Sequence, residues 1–217
     1  VESLEVSRTP RLQKKVAVRP EPATETVDAY PLASGGSLFG WEAGHRVYRA
    51  AYKRLQRLPA GGVLVVDLSR VRQASQQALK EVLLIAEVLR ASKFEERYVV
   101  FRVEPRNRDL SEALEEAART GGCAVTVVSR TGGFRRFGKL TRAELETLEA
   151  IERRGELTSK RLRDEQGLLP SAASNRLRRL HHLRLIRREE RAVRGSGGRE
   201  FVYLPLFRRT KEKKGGR

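Results

Sequence analysis

Residues able to do covalent chemistry are sparse in this 217-residue chain. Nucleophilic catalysis needs a hydroxyl or thiol beside an activating base, and carboxylate catalysis needs two acidic groups set in one site. Neither arrangement can be assembled here, so no enzyme is expected. The chain holds one cysteine, Cys123, and three histidines, His45, His181 and His182. A single thiol excludes an internal disulfide framework and any zinc site built on several cysteines; Cys123 reads as a small buried residue. His181 and His182 are adjacent, so on a helix they point apart and do not share a metal. Asp67, at the end of an apolar run, is the best single carboxylate, and it reads as the group that fixes a strand-to-helix turn. Gly35-Gly36 and Gly195-Ser196-Gly197-Gly198 lack the strand-then-helix setting of a nucleotide loop. No cofactor and no metal are expected. The remaining chemistry is hydrogen bonding and ion pairing to a polyanion. Ser171, Ser174, Asn175, Arg178 and Arg179 lie within one short segment, and such groups bond base edges and phosphates in a major groove.

The element that must hold these residues is a helix opening at Pro170, whose missing N–H suits a first helical turn. Ala173, Leu177, Leu180 and Leu183 recur at helical spacing and form its buried stripe, which leaves the polar set on the other side. Charge supports the same partner. The net charge is +18, and polyanions gain affinity by exchanging condensed counterions for fixed positive groups. Residues 1–129 hold 20 Lys+Arg against 16 Asp+Glu, a net of +4, and residues 130–217 hold 25 against 11, a net of +14. The basic excess therefore sits with the polar helix. No apolar run approaches a membrane span, and the first residues lack a signal-peptide core, so a cytoplasmic protein that avoids membranes is expected.

Around the polar helix the pattern is regular. Thr141-Arg142-Ala143-Glu144 has the form of a capping box, and Leu145, Leu148 and Ile151 read as the apolar face of the helix it opens. Thr158 or Ser159 caps a second helix running to about Gln166, with Leu162 inward and Gly167 as the turn. After the polar helix, residues 185–193 and 199–204 read as two strands joined by a glycine-rich tip, with arginines on both arms.

The first half alternates strands and helices. Residues 1–29 contain Pro10, Pro20 and Pro22 with mixed charges and read as an extended basic arm. Trp41, Tyr48, Ala51, Leu55 and Leu58 mark an amphipathic helix. Residues 63–68, 98–103 and 124–128 are apolar runs that read as buried strands. A long helix from Gln76 to Leu89 and a second one capped by Asp109 or Ser111 lie between them. Strands and helices at this spacing imply right-handed crossovers and a small sheet covered by helices. Residues 130–139, with Gly132-Gly133 and Gly138 around Arg135 and Arg136, read as a basic connector or short hairpin.

Two family resemblances follow from these residues. The run Asp67-Leu68-Ser69-Arg70-Val71, where a buried strand gives way to a long helix, resembles the STAS (sulphate transporter and anti-anti-sigma factor) domain over residues 30–129. That resemblance implies a module for dimerisation or partner binding. Its phosphoacceptor position falls on Gln76, beside Ser75. The order helix, helix, turn, helix and glycine-tipped hairpin over residues 140–206 resembles the winged helix-turn-helix of ArsR- and MarR-type bacterial regulators. It implies base contacts from Ser171, Ser174, Asn175 and Arg178, and wing contacts from Arg194 and Arg199. Leu169 stands where such helices usually place a Ser or Thr cap, and Arg184 replaces the glycine common before the wing strand.

The expected architecture is an α/β STAS-like N-terminal domain, a linker over 130–139, an α+β winged helix and a basic tail over 207–217. The expected function is transcriptional regulation by a homodimer on double-stranded DNA, with half-sites about one helical turn apart. A second reading is an accessory subunit that holds DNA without sequence choice while the first domain docks a protein. A third is an anti-anti-sigma-type switch phosphorylated near Ser69 or Ser75.

Overall fold

The computed structural model describes residues 22–91, 94, 96–130, 133–193 and 198–207. The N-terminal half runs β1 (Thr24–Asp28), β2 (Ser37–Leu38), α1 (Gly40–Arg57), β3 (Val63–Asp67), β4 (Gln73–Ala74) and α2 (Gln76–Arg90). It continues with β5 (Tyr98–Arg102), α3 (Arg108–Thr120), β6 (Ala124–Val128) and β7 (Phe134–Gly138). The main sheet has the order β1-β3-β5-β6-β7, with the first four strands parallel and β7 antiparallel. Each parallel strand is neighboured by the next one in the chain, and right-handed crossovers that always step the same way put every helix on one face. Leu64, Val66, Val99, Phe101, Val125 and Val127 point into that helical core, as period-two alternation requires. Helices α1 and α2 approach closely at Gly44, where an added Cβ would lie 2.2 Å from the Ala78 carbonyl oxygen.

The alternate residues Val63, Val65, Tyr98, Val100 and Val128 form a second apolar layer on the opposite face, completed by Leu206 beyond the last strand of the chain. A parallel sheet needs both faces covered. Here the C-terminal part of the chain contributes to the cover, so the two halves pack as one body along this face.

Three expectations change. Thr24–Asp28 is not part of an extended arm but an edge strand; only Val27 of its five residues is buried, which left little apolar pattern to read. Residues 1–21 of that arm, and 208–217 of the basic tail, lie outside the described residues. The expected linker contains β7, the hairpin alternative; Arg135 and Arg136 lie over the rings of Phe137 and Phe134, so the strand is guarded by cations and reads as polar. Helix α3 is capped by Asn107, not by Asp109 or Ser111. The Asn107 carbonyl oxygen accepts from Leu110 N at 3.1 Å, and its amide donates to the Val71 and Arg72 carbonyls, both at 3.0 Å.

Asp67 does fix its turn. One oxygen accepts from Ser69 N and the other from Arg102, each at 2.9 Å. No helix among the described residues is long and apolar enough to cross a membrane.

Candidate nucleic-acid interface

The C-terminal half runs α4 (Arg142–Arg154), β8 (Leu157–Thr158), α5 (Ser159–Gln166), α6 (Pro170–His182), β9 (Ile186–Ala192) and β10 (Arg199–Pro205). Helix α4 opens with the full capping box: Thr141 Oγ1 accepts from Glu144 N at 3.3 Å, and Glu144 returns the bond to Thr141 N at 2.7 Å. Thr158 caps α5, and Gly167, at φ 63°, turns the chain into α6 in a conformation that favours glycine. Leu148, Ile151, Leu157, Leu162, Leu177 and Leu180 close the core between the helices and the sheet β8-β10-β9. Leu145 lies outside it at 37 % exposure, contrary to the expected apolar face; Glu144, Thr147, Leu148, Ala150 and Ile151 are the residues α4 buries.

Helix α6 begins at Pro170 behind an uncapped Leu169, which is 72 % exposed. Ala173, Leu177 and Leu180 are buried, so Ser171, Asn175 and Arg178 stand exposed on the other side, with Ser174 half-buried between them. Their spacing of four, three and four continues to the exposed His182, so one solvent-facing stripe holds the polar set. Arg179 is exposed but engaged: its Nε donates to the buried carboxylate of Glu144. Burial works to raise the Glu144 pKa, but its bonds from Thr141 and Arg179 outweigh that and leave it lowered. Arg176 is turned inward, donating to Gln166 at 2.7 Å and tying α5 to α6.

The wing is less basic than its arginines imply. Arg191 pairs with Glu156 and Glu189, and Arg199, at the tip end of β10, lies 3.3 Å from Glu190. Acidic neighbours on the same strands therefore offset much of the charge. Arg194 lies outside the described residues.

Arg188 is the residue that sequence reading passed over. It pairs in register with Tyr203, bonds the tyrosine hydroxyl and covers the Phe201 ring at 4.4 Å. Arg178 of α6 acts on the same hydroxyl. The stripe on α6 and the helix-facing side of the wing thus meet at Arg178, Tyr203 and Arg188. Strand alternation from the buried Tyr203 is the signal that would have placed Arg188 there.

His181 is buried beneath this surface, with Nε2 3.8 Å from Glu96 Oε1. Burial, then the charges of Arg188, Arg184 and His182, hold its pKa down to about 4. Unfolding lets it take up a proton at its ordinary value of 6.5, so its neutral burial costs stability as pH falls from 6.5 towards 4. The expected result is that His181→Gln flattens the fall in urea midpoint across that interval, and an unchanged slope would show that other groups set it.

A helix-turn-helix followed by a three-stranded sheet and hairpin defines a winged helix. Residues 139–195 match the family model described as the MarR family, and this part of the chain is a MarR-family winged helix domain. Domains of this family mark DNA-binding transcriptional regulators. No curated protein and no solved structure matches the chain.

Proposed function

We propose that the chain is a transcriptional regulator that reads double-stranded DNA by laying α6 in the major groove. The observation that carries this reading is the exposed stripe Ser171, Asn175, Arg178, continuous with Arg188 on the wing. Serine and asparagine bond base edges, asparagine matching adenine, while Arg178 reaches guanine or phosphate. Arg188 and Arg199 serve the backbone, which sets position without reading sequence. The terminal nitrogens of Arg179 add a phosphate contact while its Nε stays with Glu144. Such a regulator acts in the cytoplasm, beside its DNA.

The N-terminal unit keeps its STAS-like resemblance at Asp67-Leu68-Ser69-Arg70-Val71. A phosphoswitch fits it poorly, because the Ser75 hydroxyl caps α2 through Ala78 N and also accepts from Gly40 N, both at 3.2 Å.

Footprinting on fragments selected from random genomic DNA tests the reading. A discrete protected site is expected. Uniform protection with a steep salt dependence would assign the chain to the accessory role instead.

A further inference from the structure

Helix α1 carries a pattern that DNA reading does not use. Trp41, His45, Tyr48 and Tyr52 recur at steps of four, three and four, so one stripe of the helix is aromatic. Successive ring centroids lie 4.6, 5.6 and 6.0 Å apart, and Phe94 extends the ladder 5.4 Å beyond Tyr52. The stripe is not the core face, which is made by Ala43, Val47, Ala51 and Leu55. The expected inward positions of Trp41 and Tyr48 are corrected accordingly: Trp41 is 47 % exposed, Phe39 before it 58 %, and Tyr48 is half-buried. Three of the six large apolar side chains exposed among the described residues, Tyr30, Phe39 and Trp41, belong to the chain leading into α1 and its first turn. Contiguous apolar surface of this kind marks an interaction site.

Charge indicates what covers it. Beside the first turns of the ladder stand Glu42 and, from α2, Glu81, whose carboxylate is 3.4 Å from His45 Nδ1. Beside its later turns stand the exposed Arg49 and Lys53. The strip therefore has an acidic amino end and a basic carboxyl end, and is complementary to itself when turned end for end. A two-fold axis makes each such contact twice, whereas parallel pairing would set like charges together. The rings also stack on one another, which occupies their faces. Unpaired bases need open ring faces, while interfaces between proteins are enriched in packed aromatics.

We propose that two copies of this chain associate through antiparallel α1 helices, aromatic strip on aromatic strip, with Glu42 and Glu81 of each copy facing Arg49 and Lys53 of the other. Helix α1 has 18 residues and spans about 27 Å. Its carboxyl end lies at the amino-terminal edge of the sheet, the edge where the winged helix docks through Arg184 on Leu89 and through Ala124. End-for-end pairing therefore sends the two winged domains to opposite ends of the dimer. Each takes its own duplex, so the pair bridges two DNA segments and does not clamp adjacent half-sites.

Sedimentation velocity on the full chain, without DNA and at tens of micromolar, tests the pairing independently of DNA reading. The wild type is expected at twice the 24.6 kDa chain mass. R49E/K53E and E42K/E81K are each expected as monomers, and an equimolar mixture of the two as a dimer, which also shows both to be folded. A monomeric wild type, charge-reversed variants that still dimerise alone, or a mixture that stays monomeric overturns the proposal. Capture of a single-stranded oligonucleotide by monomeric wild type, lost in Trp41→Ala, also overturns it and gives the strip to nucleic acid.

Discussion

Arg178→Ala is expected to weaken binding to a selected duplex by about 1–3 kcal/mol, roughly tenfold to a hundredfold, and to relax base preference at one position of the site. The guanidinium is exposed on α6 and has no ion pair among the described residues, so its loss leaves the fold intact. Asn175→Ala is expected to fall in the same range, because a bidentate amide contact is as discriminating as an arginine one. Arg188→Ala should act differently, weakening cognate and random duplexes alike and lowering the slope of log affinity against log salt by ~1. Arg179→Ala is expected to cost less affinity than Arg178→Ala, since its Nε serves Glu144. Its loss would instead leave that buried carboxylate without its cation. Competition binding with cognate and scrambled duplexes over a salt series separates these outcomes. Equal losses on both duplexes from Arg178, Asn175 and Arg188 would remove α6 from the base edges.

The winged helix was legible because its signals are local. A capping box, a left-handed glycine and a proline at the first turn of α6 each act within a few residues, and local geometry follows from local chemistry. The edge strands β1 and β7 were hidden for the opposite reason. A strand at an edge is half wet, so Val27 and Phe137 are the only buried residues in their segments. The ladder on α1 was misread because aromatic spacing imitates an apolar face, and only packing shows that the smaller Ala43, Val47 and Ala51 face the sheet. On the candidate interface, helical periodicity separated Ser171, Asn175 and Arg178 from the core. Arg188 depended on strand register, and the neutralising role of Glu189 and Glu190 depended on pairings across the wing.

Arg184 carries the second large effect. Glycine is common at this position, and the reason is visible in its φ of 59°, a left-handed backbone that costs a non-glycine residue about 1–2 kcal/mol. The arginine is nonetheless buried, and its Nε donates to the Leu89 carbonyl at 3.2 Å, in the last turn of α2. That carbonyl lies at the negative end of a helix, where a cation is favoured. Strain and cap therefore oppose each other at one residue, and two substitutions weigh them. Arg184→Ala keeps the strain and loses the cap, with an expected loss of about 1–3 kcal/mol. Arg184→Gly loses the cap but relieves the strain, so it should be more stable than the alanine variant by ~1 kcal/mol. Urea titration followed through Trp41, the single tryptophan, reports on the N-terminal unit, and far-ultraviolet circular dichroism reports on the whole chain. In the wild type the two signals should move together, because Arg184, Ala124 and Leu206 join the halves. In Arg184→Ala they should separate, with the winged helix melting first. A glycine variant no more stable than the alanine one would assign the left-handed backbone no cost, and coincident transitions in both variants would place the join in the Leu206 layer alone.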